Sequence, residues 1–280
     1  MKLVRTAHFI GLMLVIMPWG VKAQFLIQTE LRPKTESRDG FKSLLSNTQE
    51  PAFIISQRSR INLSYANEGV ETYLSLQDVR VWGDEIYKTD NAVINVYQAY
   101  AAYHFNDNFS IKIGRQELVY DNKRLLGNRD WNNVGASHDI ALLKFKKDGL
   151  TFDFAGGYNN EKEQIYANEY SLNYYKYLAF AWLNKTWENS LSFSVISIFD
   201  GYQDTNTSSQ INTRGTSGFY TKWANSTKAF GQDAALYYQY GRSANNTLIS
   251  AHYFSITQYY QPINSLWSCS SIYFRVVPQQ

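Results

Sequence analysis

One cysteine, Cys269, occurs in 280 residues. No disulfide can therefore form within the chain, and cross-links contribute nothing to its fold. Histidine is almost as scarce, with four in all. His104, His138 and His252 have no second His or Cys at metal-ligand spacing, which argues against a structural metal site. No glycine-rich phosphate loop occurs, and no cofactor is implied. Gly215-Thr216-Ser217-Gly218 lacks the pattern of a nucleophile elbow. Beyond residue 23 there is no run of 18 apolar residues, so no membrane-spanning helix is expected.

Net charge is also missing once the N-terminus is considered. Lys2 and Arg5 precede an apolar run from Phe9 to Trp19, which closes on Val21-Lys22-Ala23, a small-x-small cleavage signal. The run is too short for a membrane anchor, which needs about 20 residues. Residues 1–23 therefore read as a signal peptide cleaved after Ala23. The whole chain has 27 Lys+Arg and 24 Asp+Glu. Lys2, Arg5 and Lys22 leave with the signal and no acid does, so 24 cations face 24 anions in the mature chain. A nucleic-acid partner thereby loses its electrostatic support.

What is abundant is aromatic surface. The 22 Tyr, 16 Phe and 7 Trp make up 16% of the chain, while mean hydropathy stays negative at −0.39. An ordinary core does not need so many tyrosines. A membrane barrel does, because amphipathic rings gather at both interfaces and the lumen supplies polarity.

The periodicity agrees. Between residues 53 and 65 one face reads Phe53, Ile55, Gln57, Ser59, Ile61, Leu63, Tyr65, and the other reads Ile54, Ser56, Arg58, Arg60, Asn62, Ser64. Further strands are expected over 24–31, 70–82, 93–105, 109–115, 138–146 and 150–158. Less regular ones follow over 172–183, 187–199, 215–223, 230–241 and 247–256. Tight links (Asn67-Glu68-Gly69, Asn106-Asp107-Asn108, Lys147-Asp148-Gly149, Asn184-Lys185-Thr186) alternate with long polar stretches over 32–52, 83–92, 117–137, 159–171 and 200–214. Outer-membrane barrels sort their connections this way, with short periplasmic turns and longer external loops. A soluble β-sandwich or propeller has no reason to. The expected fold is all-β, an antiparallel transmembrane β-barrel with about 12 strands present.

With those residues in place, the chain resembles the alginate-export family of outer-membrane porins. The resemblance rests on Gly114-Arg115-Gln116-Glu117-Leu118, then Tyr120, Arg124-Leu125, Gly127, Asp130-Trp131 and His138-Asp139. Ser75-Leu76-Gln77-Asp78-Val79-Arg80-Val81-Trp82-Gly83 and Gln98-Ala99-Tyr100 add to it. It implies an arginine-rich lumen that passes an acidic polysaccharide, within a barrel of about 18 strands. Ala136-Ser137-His138-Asp139 departs from the family's usual Arg-x-Phe-Asp. The strand pattern fails after Gln258, and the chain ends in Pro278-Gln279-Gln280. Residues 24–257 are thus expected to be an incomplete, C-terminally truncated barrel, and residues 258–280 an atypical tail.

Candidate pore-lining residues are Arg58, Arg60, Asp78, Arg80, Lys112, Arg115, Glu117 and Arg124. Two readings stand side by side for Arg58, Arg60 and Arg80. They attract anions, as rings of basic residues do, or they neutralise lumen carboxylates such as Asp78 and Glu117. Arg115 shares the outward phase of Ile111 and Ile113, so it reaches the lumen only if Gly114 permits a bulge. The expected function is passive passage of an anionic or sugar-like solute, small or polymeric, with outer-membrane lipid and the barrel-assembly machinery as partners. The alternative is a non-transporting outer-membrane barrel, acting as a surface-binding protein or a barrel enzyme. Catalysis has little support, since His138 beside Asp139 is the nearest approach to a catalytic pair.

Overall fold

The computed structural model describes residues 24–40, 45–46, 48–84, 94–163, 165–166, 170, 174–187, 191–204, 210–225, 227, 229–260 and 269–274. The expected signal peptide and most of the tail after Tyr260 lie outside the described residues.

Thirteen strands form one sheet in strict chain order. They are β1 (Gln24–Arg38), β2 (Ala52–Asn67), β3 (Val70–Val81), β4 (Asn95–His104), β5 (Phe109–Gln116), β6 (His138–Lys147) and β7 (Leu150–Tyr158). There follow β8 (Tyr177–Trp187), β9 (Leu191–Gln203), β10 (Ile211–Ala224), β11 (Phe230–Arg242), β12 (Leu248–Tyr260) and the short β13 (Cys269–Phe274). Every neighbouring pair is antiparallel. Among the described residues no ladder joins β1 to β12 or β13, and the sheet is open along its first and last strands.

The tight links form as their residues dictate. Asn67 pairs with Val70 and Lys147 with Leu150 across two-residue turns. Both central residues of each turn have positive φ: Glu68 and Gly69, Asp148 and Gly149. Turns of that kind match the twist of the strands they join.

Several boundaries differ from the sequence reading. β1 continues seven residues past Leu31, in unbroken register with β2 from Gln24↔Ala66 to Arg38↔Ala52. Pro33 is no obstacle, because an edge strand has a side on which no ladder donor is needed. Asn184-Lys185-Thr186 is not a turn but the end of β8, with Lys185 opposite Phe193 and Thr186 opposite Ser192. The link itself falls at 188–190, outside the described residues. β9 runs on to Gln203 and β10 begins at Ile211, so the expected 200–214 loop shrinks to the residues between. In each case strand pairing overrides polar local composition.

The outward face is apolar and unpartnered. Ile113, Leu143, Phe152, Phe154, Leu183, Phe193, Val195, Phe219, Leu236 and Phe254 all lie on it, more than a third exposed. A water-soluble sheet would not leave so wide a patch uncovered; lipid covers it. At the turn side the aromatics cluster, Tyr103 with Phe105 and Phe109, and Trp223 with Phe230. Amphipathic and aromatic rings belong at that interface. Among the described residues no helix is long and apolar enough to cross a membrane.

The sheet is strongly curled. β1 and β12 are eleven strand spacings apart, about 50 Å if the sheet were flat. Yet residues 117–137 touch both: Arg32 of β1 donates to the Asp130 carbonyl oxygen, and the Arg124 guanidinium lies over the Tyr253 ring of β12. Positions 124 and 130 can be at most about 20 Å apart. Even with side-chain reach added, contact with both strands requires the wall to wrap around the segment.

Candidate functional site

The segment between β5 and β6, expected to be an external loop, folds instead across the concave face. Its departure is set by Gly114, whose φ is +124°. A Cβ there would lie 2.3 Å from the Ala99 carbonyl oxygen of β4, so only glycine lets the two strands approach. Gly127 serves a similar purpose inside the loop, where a Cβ would lie 2.7 Å from the Lys123 carbonyl oxygen. Glu117 then fixes the entry. It accepts from Tyr97 Oη at 2.5 Å and from Asn128 Nδ2 at 3.1 Å, and its backbone N–H donates to Gln98 Oε1 at 3.1 Å.

One side of the loop is tied to β1–β3 by charge. Arg58 and Arg60 share an inner face with Glu30 and Arg32, because the register places Glu30 opposite Arg60 and Arg32 opposite Arg58. Arg58 Nη2 reaches Glu30 Oε1 at 2.5 Å and Asp130 Oδ1 at 2.9 Å. Arg32 donates to the carbonyl oxygens of Asp130 at 2.7 Å and Asn132 at 3.0 Å. Arg60 donates to Gln77 Oε1 at 3.0 Å and stacks 3.7 Å from the Tyr97 ring centre. Gln77 in turn donates to the Val134 carbonyl oxygen, and Asn133 to Ser56 Oγ at 2.7 Å. Burial would raise the Asp130 carboxyl. The Arg58 hydrogen bond and the charges of Arg58, Arg32 and Arg60 outweigh it and hold the group below the ordinary carboxylate range.

The other side is held by packing. Leu118, Tyr120 and Leu126 of the loop join Ile140, Leu142, Ala155, Leu178, Phe180, Ile196 and Ile198 from the inner wall in one buried cluster. Tyr120 meets Phe180 and Trp182 edge-on, with ring centres 5.0 Å apart in both cases. Its hydroxyl donates to Asp153 Oδ2 at 2.7 Å, and burial followed by the Asp153 charge raises its pKa. Asp121 accepts from Trp182 Nε1 at 2.9 Å and Ser194 Oγ at 2.5 Å. Burial still wins there and pushes the carboxyl up.

Space remains on both sides of this bridge. A cavity of about 800 Å³ on the turn side is lined by Tyr100, Lys112, Lys144 and Asp153 among others. Another of about 790 Å³ lies towards Gln77, Arg115, Arg129 and Ser137. A third of about 340 Å³ separates the loop from β8–β11 and contains Lys123, Arg124, Arg129 and Arg214.

The candidate residues fall into three places. Arg58, Arg60, Glu117 and Arg124 come together around the loop. Lys112 faces the turn-side cavity from the inner wall, 3.7 Å from the Tyr100 ring centre. Asp78, Arg80 and Arg115 do not join them. Arg80 stands opposite Gln57 and Asp78 opposite Ser59, whereas Arg58 stands opposite Val79. Arg80 therefore projects from the outer face, where its Nε and Nη2 meet the Asp78 carboxylate at 2.7 and 2.8 Å. The expectation that Arg80 shares a face with Arg58 and Arg60 is corrected by that register: positions 58 and 80 differ by one step in strand phase. At Gly114 there is no bulge, since both ladders of β5 run through it unshifted. Arg115 thus keeps the outward phase and pairs with Asp139 at 2.9 Å near the rim.

Glu30, Arg32, Asp121 and Asp153 escaped the sequence reading, and Asp130 entered it only through the resemblance, with no pore-lining role. Arg32 fell in what reads as a loop. A signal was nonetheless present in the polar phase Glu30, Arg32, Lys34, Glu36, which continues β1 past Leu31.

A meander of membrane-facing strands curled around an inserted loop defines an outer-membrane channel protein. The family described as Alginate export matches residues 24–261, and the chain belongs to it. That family consists of transport channels. Two solved outer-membrane structures share the fold. One is a loop L8 deletion mutant of OmpT of Vibrio cholerae, with TM-score 0.52, 11% identity, and coverage of 86% of this chain and 77% of that one. The other is OpdL of Pseudomonas aeruginosa, with TM-score 0.52, 11% identity, and coverage of 85% and 60%. No curated protein matches the sequence.

Proposed function

We propose that the chain passes an anionic or sugar-like solute passively through the bacterial outer membrane, and that residues 117–137 set the constriction. The observation that carries this reading is the loop tethered on both flanks, with cavities of about 800 and 790 Å³ on either side. A segment held by Arg58–Asp130 at one flank and Tyr120–Asp153 at the other narrows the passage without filling it. Arg58 and Arg60 act in this reading as wall anchors, and Lys112, Glu117 and Arg124 border the open space. Asp78 and Arg80 stabilise the outer face, and Arg115, paired with Asp139, stands at the edge of the cavity of about 790 Å³. Export through cleavage after Ala23 and insertion by the barrel-assembly machinery complete the proposal.

Planar-bilayer recording tests it. Wild-type protein should give discrete conductance steps, and deletion of residues 119–136 should enlarge each step. Absence of steps would favour a non-transporting, surface-binding barrel. Steps of unchanged size after the deletion would remove the loop from the constriction.

A further inference from the structure

We infer that anions cross the constriction along the β8–β11 wall, past Lys123, Arg124, Arg129 and Arg214, and not past the arginines of β2. This rests on the channel reading and assigns its selectivity to a flank of the loop.

The two flanks differ in how their cations are used. On the β1–β3 side the cations are occupied. Arg58 is 2% exposed between Glu30 and Asp130, and Arg60 is 7% exposed, within 3.9 Å of the same two carboxylates. Arg32 is spent on loop carbonyls. These three arginines share Glu30 and Asp130, and Arg58 and Arg60 are buried, so a passing solute meets little uncompensated charge there.

On the opposite side a cavity of about 340 Å³ holds four cations and one carboxylate, Asp200. Asp200 is taken by Arg214, whose Nε lies 3.2 Å from Oδ1 and which also donates to Tyr202 Oη at 2.9 Å. Among the described residues no carboxylate lies within ion-pair distance of Lys123, Arg124 or Arg129, and all three are exposed. Arg124 is steadied by the Tyr253 ring, 4.7 Å away. Lys123 and Arg129 are held at φ of +61° and +50°, a left-handed backbone uncommon for such residues.

Unpaired cations in a cleft with low-dielectric walls focus field lines and concentrate anions locally. Leu178 and Ile198 supply such walls here. Basic residues lining a passage select for anionic solutes in this way. The β1–β3 flank, whose three arginines are drawn onto two carboxylates, does so far less.

The test is reversal potential in a potassium chloride gradient at low salt, on full-length protein in planar bilayers. Wild type should prefer chloride over potassium, and the preference should fade as salt rises, since screening acts over about 10 Å at 0.1 M. The triple variant Lys123→Gln, Arg124→Gln, Arg129→Gln should keep its conductance steps and lose that preference. Arg60→Gln should keep it. A triple variant that conducts with unchanged preference overturns the inference and leaves the channel reading standing. Loss of preference in Arg60→Gln alone would move the route to the β2 side. Wild-type protein without steps overturns both. Should the triple variant fail to insert, the single variants Lys123→Gln and Arg129→Gln carry the test: each should lower the preference in part, and no change in either counts against the inference.

Discussion

Arg58 Nη2 lies 2.9 Å from Asp130 Oδ1, joining a wall strand to the loop that crosses the sheet's hollow. The two partners are unequal: Arg58 is almost wholly enclosed, while the Asp130 side chain is 52% exposed. Their substitutions should therefore differ in cost.

Replacing Arg58 with Met removes contacts to two acids and leaves both partly solvated. A loss of about 1–3 kcal/mol is expected. Asp130→Asn should cost less than about 1 kcal/mol, because a half-exposed ion pair contributes little. Urea unfolding in detergent micelles measures both. Asp130→Asn proving the costlier change would mean that the loop, not the wall, carries the tether.

Acid should act oppositely on the two flanks. The Asp130 carboxyl lies below its ordinary value of 3.8 in the folded protein. Its contribution is therefore complete above that value and is lost as pH falls through the lower native pKa. The Asp121 carboxyl lies above 3.8. There the folded state binds the proton more tightly, so its contribution is greatest in acid and declines as pH rises through the raised pKa. On titration upward from strong acid, fluorescent probes at Asn122 and Asn132 should report the Asp130 flank tightening first and the Asp121 flank loosening at higher pH. Parallel responses at the two probes would contradict this assignment.

Packing on the inner wall should matter more than packing against lipid. Leu118 is 1% exposed within the cluster, so Leu118→Ala should cost about 2–5 kcal/mol. Phe193 faces outward and exchanges one apolar environment for another on unfolding within a micelle. Phe193→Ala should have a much smaller effect. Unfolding midpoints of the two variants settle the order, and equal losses would indicate that the loop does not pack as described.

Gly114→Ala should prevent normal assembly. Its backbone is left-handed, and the added methyl would meet the Ala99 carbonyl at 2.3 Å. Substitution where the native conformation rejects the residue costs more than about 1 kcal/mol. The fraction of heat-modifiable protein after refolding gives the readout. Wild-type yields from the variant would show that β4 and β5 can separate without penalty.

Much of the fold was legible in the residues. The alternation in Ile54, Ser56, Arg58, Arg60 against Phe53, Ile55, Ile61, Leu63 specified a half-buried strand and the two faces of β2. Asn67-Glu68-Gly69 and Lys147-Asp148-Gly149 placed their turns correctly, because positive φ is a local demand that local residue choice meets. Asn184-Lys185-Thr186 misled for the complementary reason. Its composition suits a turn, but cross-strand partners Phe193 and Ser192 draw it into a ladder.

The inner core was written in the sequence without being readable there. Ile140-Ala141-Leu142-Leu143 and Val195-Ile196 break the period-two pattern because they are apolar on both faces, one towards lipid and one beneath Leu118, Tyr120 and Leu126. From the sequence alone such runs register only as strands, 138–146 among the regular ones and 187–199 among the less regular. Knowing that a loop covers the inner face requires the curl of the sheet, which is a property of all the strands together.

The sequence by itself determined the strand-and-turn order, the family, and the residue types able to meet a charged solute. Those follow from interactions between near neighbours and from periodicity. Only the tertiary structure decided which cations are free. Arg58 and Lys123 both carry a positive charge at neutral pH, but the fold sets Glu30 and Asp130 against the first, and among the described residues no carboxylate pairs with the second. Charge is a local property and neutralisation is not, since it depends on which distant strand or loop comes to lie within about 4 Å.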